Sequence, residues 1–120
     1  MILVDTSVWV DHLRAGAERL TDLLNSSMVL AHPFVIAELA CGNLYQRTDV
    51  LRLLNALPQA PLASQEEVLH FIECNKLMGQ GIGFIDAHLL ASAALADTAL
   101  VWTRDKRLQK IATQLKLAFD

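Results

Sequence analysis

Three short aliphatic runs, Ile2-Leu3-Val4, Met28-Val29-Leu30-Ala31 and Ala99-Leu100-Val101-Trp102, are separated by long intervals that read mainly as helix. None of the three alternates polar with apolar residues, the pattern of strands covered on both faces. Strands joined through helices pair in parallel by right-handed crossovers. The expected architecture is therefore α/β: a three-layer α/β/α sandwich with a small, mostly parallel sheet. Its 120 residues suffice for one domain, spanning 1–120.

Thr6 or Ser7 can cap a helix carrying Val8, Trp9 and Leu13 that stops near Gly16, and a second helix is expected over Glu18 to Asn25. Pro33 suits the first position of a helix reaching about Cys41. Further helices are expected over Asp49 to Ala56, after a Ser64/Glu67 capping box, over Ile85 to Ala96 and over Lys106 to Gln114. Pro58 to Leu62 reads as an edge strand or loop, and Leu115 to Phe119 as a last strand. The glycine run at 79–83 lacks the G-K-[ST] ending of a phosphate loop and is read as a connection.

The acids are more informative by position than by number. Asp5 ends the first run, and Asp105 follows the third by three residues, so both should emerge at the carboxyl edge of the sheet, where sites form in such folds. Asp86 falls in the first turn of a helix, where the backbone dipole favours a carboxylate. Glu38 is expected on the apolar stripe of its helix, among Phe34, Val35 and Cys41, where an unpaired carboxylate is costly. Four gathered carboxylates repel one another unless a divalent cation joins them, and an all-oxygen set suits Mg²⁺ or Mn²⁺. The usual chemistry of such a site is phosphoryl transfer.

The net charge of −3 does not exclude a nucleic-acid substrate, because setting those four acids aside leaves +1. The four histidines are scattered, without H-x-x-x-H or H-E-x-x-H spacing for zinc, and no G-x-S-x-G marks a serine hydrolase. A dehalogenase-type phosphohydrolase would need D-x-D where Asp5-Thr6-Ser7 stands. Cys41 and Cys74 form no C-x-x-C motif and are expected as buried free thiols of a reducing compartment. The start lacks a basic signal-peptide region, and no run is long enough to span a membrane, so a cytoplasmic protein is expected. Apolar residues make up 53% of the chain, a surplus that a second copy or a partner would bury.

Met1-Ile2-Leu3-Val4-Asp5-Thr6-Ser7-Val8-Trp9, Pro33-Phe34-Val35-Ile36-Ala37-Glu38-Leu39, Phe84-Ile85-Asp86-Ala87-His88 and Val101-Trp102-Thr103-Arg104-Asp105 resemble, in order, the four acidic blocks of PIN-domain nucleases. The resemblance covers essentially the whole chain, and the short length without an added domain is similar to VapC toxins of VapBC toxin–antitoxin pairs. It implies a Mg²⁺- or Mn²⁺-dependent endoribonuclease, a VapB-type antitoxin partner and a homodimer. It also implies Asp5, Glu38 and Asp86 as holders of the principal metal, with Asp105 assisting through water or a second ion. Metal-activated water would be the nucleophile. Thr6, Ser7 and Thr103 are candidates for orienting acids or water, and Arg104, Lys106 and Arg14 for contacting RNA phosphates. A PIN nuclease of RNA processing, or a catalytically silent PIN-like module, are the alternatives; loss of activity would show as a missing acid, and none is missing. Leu108 stands where the family often has Phe, a change expected to affect packing only. Asp11 is expected to face solvent or pair with Arg14.

Overall fold

A computed structural model describes residues 1–120. Strand β1 (Ile2–Val4) leads into helices α1 (Thr6–Ala15) and α2 (Glu18–Asn25), then β2 (Val29–Leu30). Four helices follow, α3 (Pro33–Ala40), α4 (Arg47–Ala56), α5 (Gln65–Asn75) and α6 (Phe84–Leu95), before β3 (Leu100–Trp102) and α7 (Lys106–Gln114). The sheet is wholly parallel in the order β2-β1-β3, with Leu3 opposite Leu30 on one side and Val101 on the other. Ile2, Leu3 and Val4 are all buried although successive side chains point to opposite faces, so helices cover both faces of the sheet. This is the α/β sandwich that the three uninterrupted aliphatic runs imply.

The two outermost segments add only single parallel bridges, Ala31 to Gln59 and Val101 to Ala118. Pro58 and Pro61 carry no N–H for a longer ladder, which settles the 58–62 segment as a bridge in a loop. The last strand, expected over Leu115 to Phe119, shrinks because Leu115 still closes α7 and Lys116 takes a left-handed φ of 61°. Two bonds, Val101 N to Leu117 O and Phe119 N to Val101 O, are what remains of it.

Pro33 does open α3, but the cap in front of it is the ring of His32, whose Nδ1 accepts from Phe34 N at 3.0 Å. The Ser64/Glu67 box opens α5 reciprocally, Glu67 N donating to Ser64 Oγ and Ser64 N to Glu67 Oε1. Both cysteines are exposed free thiols, contrary to the buried placement expected. Cys41 lies just beyond the end of α3, and Cys74 sits on the outer face of α5, its Sγ 3.2 Å from His70 Nε2. No helix is long and apolar enough to cross a membrane.

Because β2 and β3 flank β1, the chain leaves β1 toward one side and returns on the other. The strand order therefore reverses at β1, and a crevice forms beyond the carboxyl ends at such a switch point. Asp5 and Thr103 stand there, each one residue past its strand.

Candidate active site

Asp5 is buried where β1 turns into α1, and its amide continues the ladder by donating to Trp102 O at 2.9 Å. Its side chain is held by two hydroxyls. Ser7 Oγ and Thr103 Oγ1 both donate to Asp5 Oδ2, at 2.9 and 2.7 Å. The same oxygens accept backbone bonds, Ser7 Oγ from Arg104 N and Thr103 Oγ1 from Asp105 N, both at 3.0 Å. The two hydroxyls thus weld the β1–α1 turn to the β3–α7 turn and fix one carboxylate oxygen. Thr6, on the next residue of α1, donates to Glu38 Oε1 at 2.6 Å and so ties α1 to α3. All three hydroxyls read from the sequence as supporting residues therefore touch the acid cluster, and their bonds reach beyond local capping.

Asp105 caps α7, its Oδ1 accepting from Arg107 N and Leu108 N at 2.9 and 3.0 Å. Asp86, in the first turn of α6, accepts from Gly83 N through Oδ2 at 3.2 Å. Glu38 is exposed, a correction to its expected burial: Val35, Ile36 and Leu39 form the buried face of α3, and Glu38 shares the outer edge with Phe34 and Cys41. At 3.6 residues per turn Glu38 lies about a quarter-turn round the helix from the centre of that buried face, which leaves it in solvent.

Asp86 lies within electrostatic reach of Asp5, Asp105 and Glu38. Partial burial pushes the Asp86 carboxyl above the usual carboxylate range, its bond from Gly83 N opposes this, and the charges of Asp5, Asp105 and Glu38 raise it further. No lysine or arginine compensates the cluster, because the only ion pairs join Arg14 and Arg104 to Asp11 and Arg52 to Asp49. As their side chains stand, no three of the acids already share the spacing of a metal-ligand set. Each carboxylate has one oxygen drawn to a protein donor (Asp5 Oδ2, Glu38 Oε1, Asp86 Oδ2, Asp105 Oδ1), while its other oxygen meets none. An uncompensated, all-oxygen donor set with one anchored and one unengaged oxygen per residue is chemically suited to a hard divalent cation.

The arginines divide. Arg104 Nε lies 2.9 Å from Asp11 Oδ2 and Arg14 Nη2 lies 3.2 Å from Asp11 Oδ1, so Asp11 joins both cations beside the site. Lys106 is exposed at the start of α7 with no ion-pair partner. Arg47 is spent on structure, donating to Ala40 O and Gly42 O at 2.6 and 3.0 Å, where α3 leaves carbonyls unpaired.

Behind the site lies a cluster with no sequence motif. His32 Nε2 is 3.0 Å from Ser92 Oγ, linking the start of α3 to α6, and His88 stacks edge-on with Phe34 and Phe84. Burial and the neighbouring His88 lower the His32 pKa to about 4, and burial lowers that of His88 as well. Both rings are therefore neutral at physiological pH. In the sequence His32 is one of four scattered histidines, and a histidine before a proline-led helix carries no periodic signal. Its role appears only when α6 packs beside it.

Comparison with known proteins agrees with this geometry. Residues 2–114 match the family model described as PIN domain. Proteins called Ribonuclease VapC32, from two strains of Mycobacterium tuberculosis, are 48% identical over 118 residues, covering 98% of this chain and 95% of theirs. Among solved structures, FitAcB from Neisseria gonorrhoeae superposes with a TM-score of 0.64 at 23% identity, covering 94% of each chain. FitAB bound to an IR36 DNA fragment gives 0.65 at 21% identity, covering 94% of this chain and 91% of that one. At that identity the two structures speak for the fold alone. The family match over residues 2–114 and the 48% identity over 98% of the chain establish that it belongs to the PIN-domain family, among ribonucleases of the VapC toxin type.

Proposed function

We propose that this ribonuclease cleaves RNA internally with Mg²⁺ or Mn²⁺ held by Asp5, Glu38, Asp86 and Asp105, as the toxin of a VapBC-type pair. What supports the metal is the uncompensated charge: Asp5, Asp105 and Glu38 each act on the Asp86 carboxylate, and no ion pair neutralises any of the four. When bound, a hard cation supplies an activated water and neutralises charge on the phosphodiester. The chain's own part is positioning. Ser7 and Thr103 hold Asp5 by one oxygen and leave the other without a protein donor, and Thr6 does the same for Glu38. Asp5, Glu38 and Asp86 hold the principal ion, and Asp105 assists from the α7 N-terminus. Arg104, Arg14 and Lys106 attract the phosphate backbone, and the Asp11 bridge keeps the first two beside the site.

The partners follow from the surface. A groove of about 400 Å³ between α1, α2 and α4, with Trp9, Leu13, Leu24, Leu53 and Leu57 among its walls, is apolar enough to call for a protein cover. A VapB-type antitoxin is the cover we assign, and a homodimer would bury further exposed side chains such as Leu69 and Leu95.

The test is cleavage of mixed cellular RNA by the purified, antitoxin-free chain in Mg²⁺, Mn²⁺ and EDTA, beside Asp5→Ala. Cleavage that needs metal and vanishes in the variant is expected. Cleavage that survives Asp5→Ala in a repurified sample would remove the site assignment, and a folded chain silent in every metal would favour a binding module.

A further inference from the structure

We propose that the cavity between α1 and the α3–α4 connection is a nucleobase subsite, receiving one unpaired nucleotide adjacent to the scissile phosphodiester. The inference rests on the RNA-hydrolase reading and adds where the strand is read. The cavity encloses about 540 Å³, and Glu38 forms part of its wall, so it opens directly from the acid crevice. Its lining combines apolar side chains, among them Leu39 and Leu44, with the polar groups of Arg14 and Asn43. Tyr45 stands at its rim with 85% of its surface exposed, the most exposed large apolar side chain in the molecule. A ring left in water without a packing partner offers a stacking face, and every base has a face to match.

The loop that carries these groups is held in place. Arg47 bonds back to Ala40 O and Gly42 O, and Gln46 takes a left-handed φ of 52° before α4 starts. Asn43 and Tyr45 are therefore presented by an anchored turn, which lowers the ordering cost of binding.

The charges give the strand a direction. Arg104 adjoins Asp105 in sequence and reaches Asp11, and Asp11 also holds Arg14, which borders the cavity. Two guanidinium groups on one carboxylate keep a net positive charge and spare N–H donors, so a backbone can run from the acid crevice past Arg104 and Arg14. The base following that backbone then enters beside Tyr45. The other groove differs: apart from Trp9 and His12 its lining is aliphatic, and it has no amide or guanidinium side chain for a base edge and phosphate.

The experiment measures binding of labelled single-stranded RNA pentamers (A, C, G and U series) to the full-length chain in Ca²⁺ by fluorescence anisotropy, with steady-state cleavage in Mg²⁺ alongside. Removing one base–aromatic stack costs about tenfold in affinity, so Tyr45→Ala is expected to weaken binding about tenfold, raise KM with kcat little changed and reduce discrimination among the four series. Tyr45→Phe restores all three because it keeps the ring. Tyr45 is so exposed that an unchanged melting temperature serves as the fold control. RNA binding and KM identical in wild type and Tyr45→Ala would overturn the subsite while leaving the ribonuclease reading intact. If the same variant instead weakened only the grip of the antitoxin, the cavity would belong to a protein partner and the proposal would fall. A wild-type chain that neither binds nor cleaves RNA would take the underlying reading down with it.

Discussion

His32 makes the fold sensitive to acid in a way that can be isolated. Its Nδ1 accepts from Phe34 N, so the neutral ring must carry its proton on Nε2 and donate to Ser92 Oγ. A second proton would sit on Nδ1, facing that amide N–H inside a site with no solvent exposure. The pKa therefore falls from 6.5 to about 4, through burial first and His88 second. The sign follows from proton counting. Between pH 6.5 and 4 the unfolded chain holds more protons at this residue than the folded one, so stability falls as pH falls through that window. The loss is complete below about pH 4 and approaches 3 kcal/mol; between pH 7 and pH 5 it amounts to about 2 kcal/mol. His32→Asn keeps a good cap for Phe34 N, does not titrate and is too short for Ser92. Urea unfolding in EDTA, followed by the fluorescence of Trp9 and Trp102, measures both proteins at each pH. The variant is expected to be less stable at pH 7, with the gap narrowing by about 2 kcal/mol at pH 5. His88 also resists protonation and contributes a slope in both proteins, which the difference largely removes. Parallel pH curves for wild type and variant would refute the assignment of a neutral, buried His32.

Two further predictions concern the acid cluster. Asp86→Asn removes a charge that burial and three carboxylates disfavour, so the metal-free protein should melt higher than wild type, while the added stability from Mg²⁺ or Mn²⁺ shrinks; a lower melting temperature in EDTA would contradict the repulsion. Thr103→Val keeps the shape but leaves Asp105 N without its acceptor and Asp5 Oδ2 with one donor fewer, a loss of about 1–3 kcal/mol in denaturant unfolding together with weaker metal binding by calorimetry; unchanged metal affinity would show that Ser7 alone positions Asp5.

The strand–helix order could be read directly from the sequence because each aliphatic run had to be covered on both sides, and covering a parallel strand leaves little choice but crossover helices. The same reasoning placed Asp5 and Asp105 at one sheet edge, since strand ends are fixed by where the aliphatic runs stop. What failed was local detail that depends on competition between neighbours. Leu115 to Phe119 looks extended by composition, yet α7 claims its first residue and Lys116 turns the backbone. Glu38 looked buried from its neighbours' hydrophobicity, although the packing of α3 against α1 and α4 decides which edge faces the core. Sequence determined the acids, the elements that carry them and the order of those elements. Only the tertiary structure decided which oxygen each acid commits to a protein donor, that no arginine reaches the cluster, and that His32 and Ser92 meet. Those facts depend on side chains brought together from distant positions, and chain spacing holds no record of distances between elements that touch only after the sheet has closed.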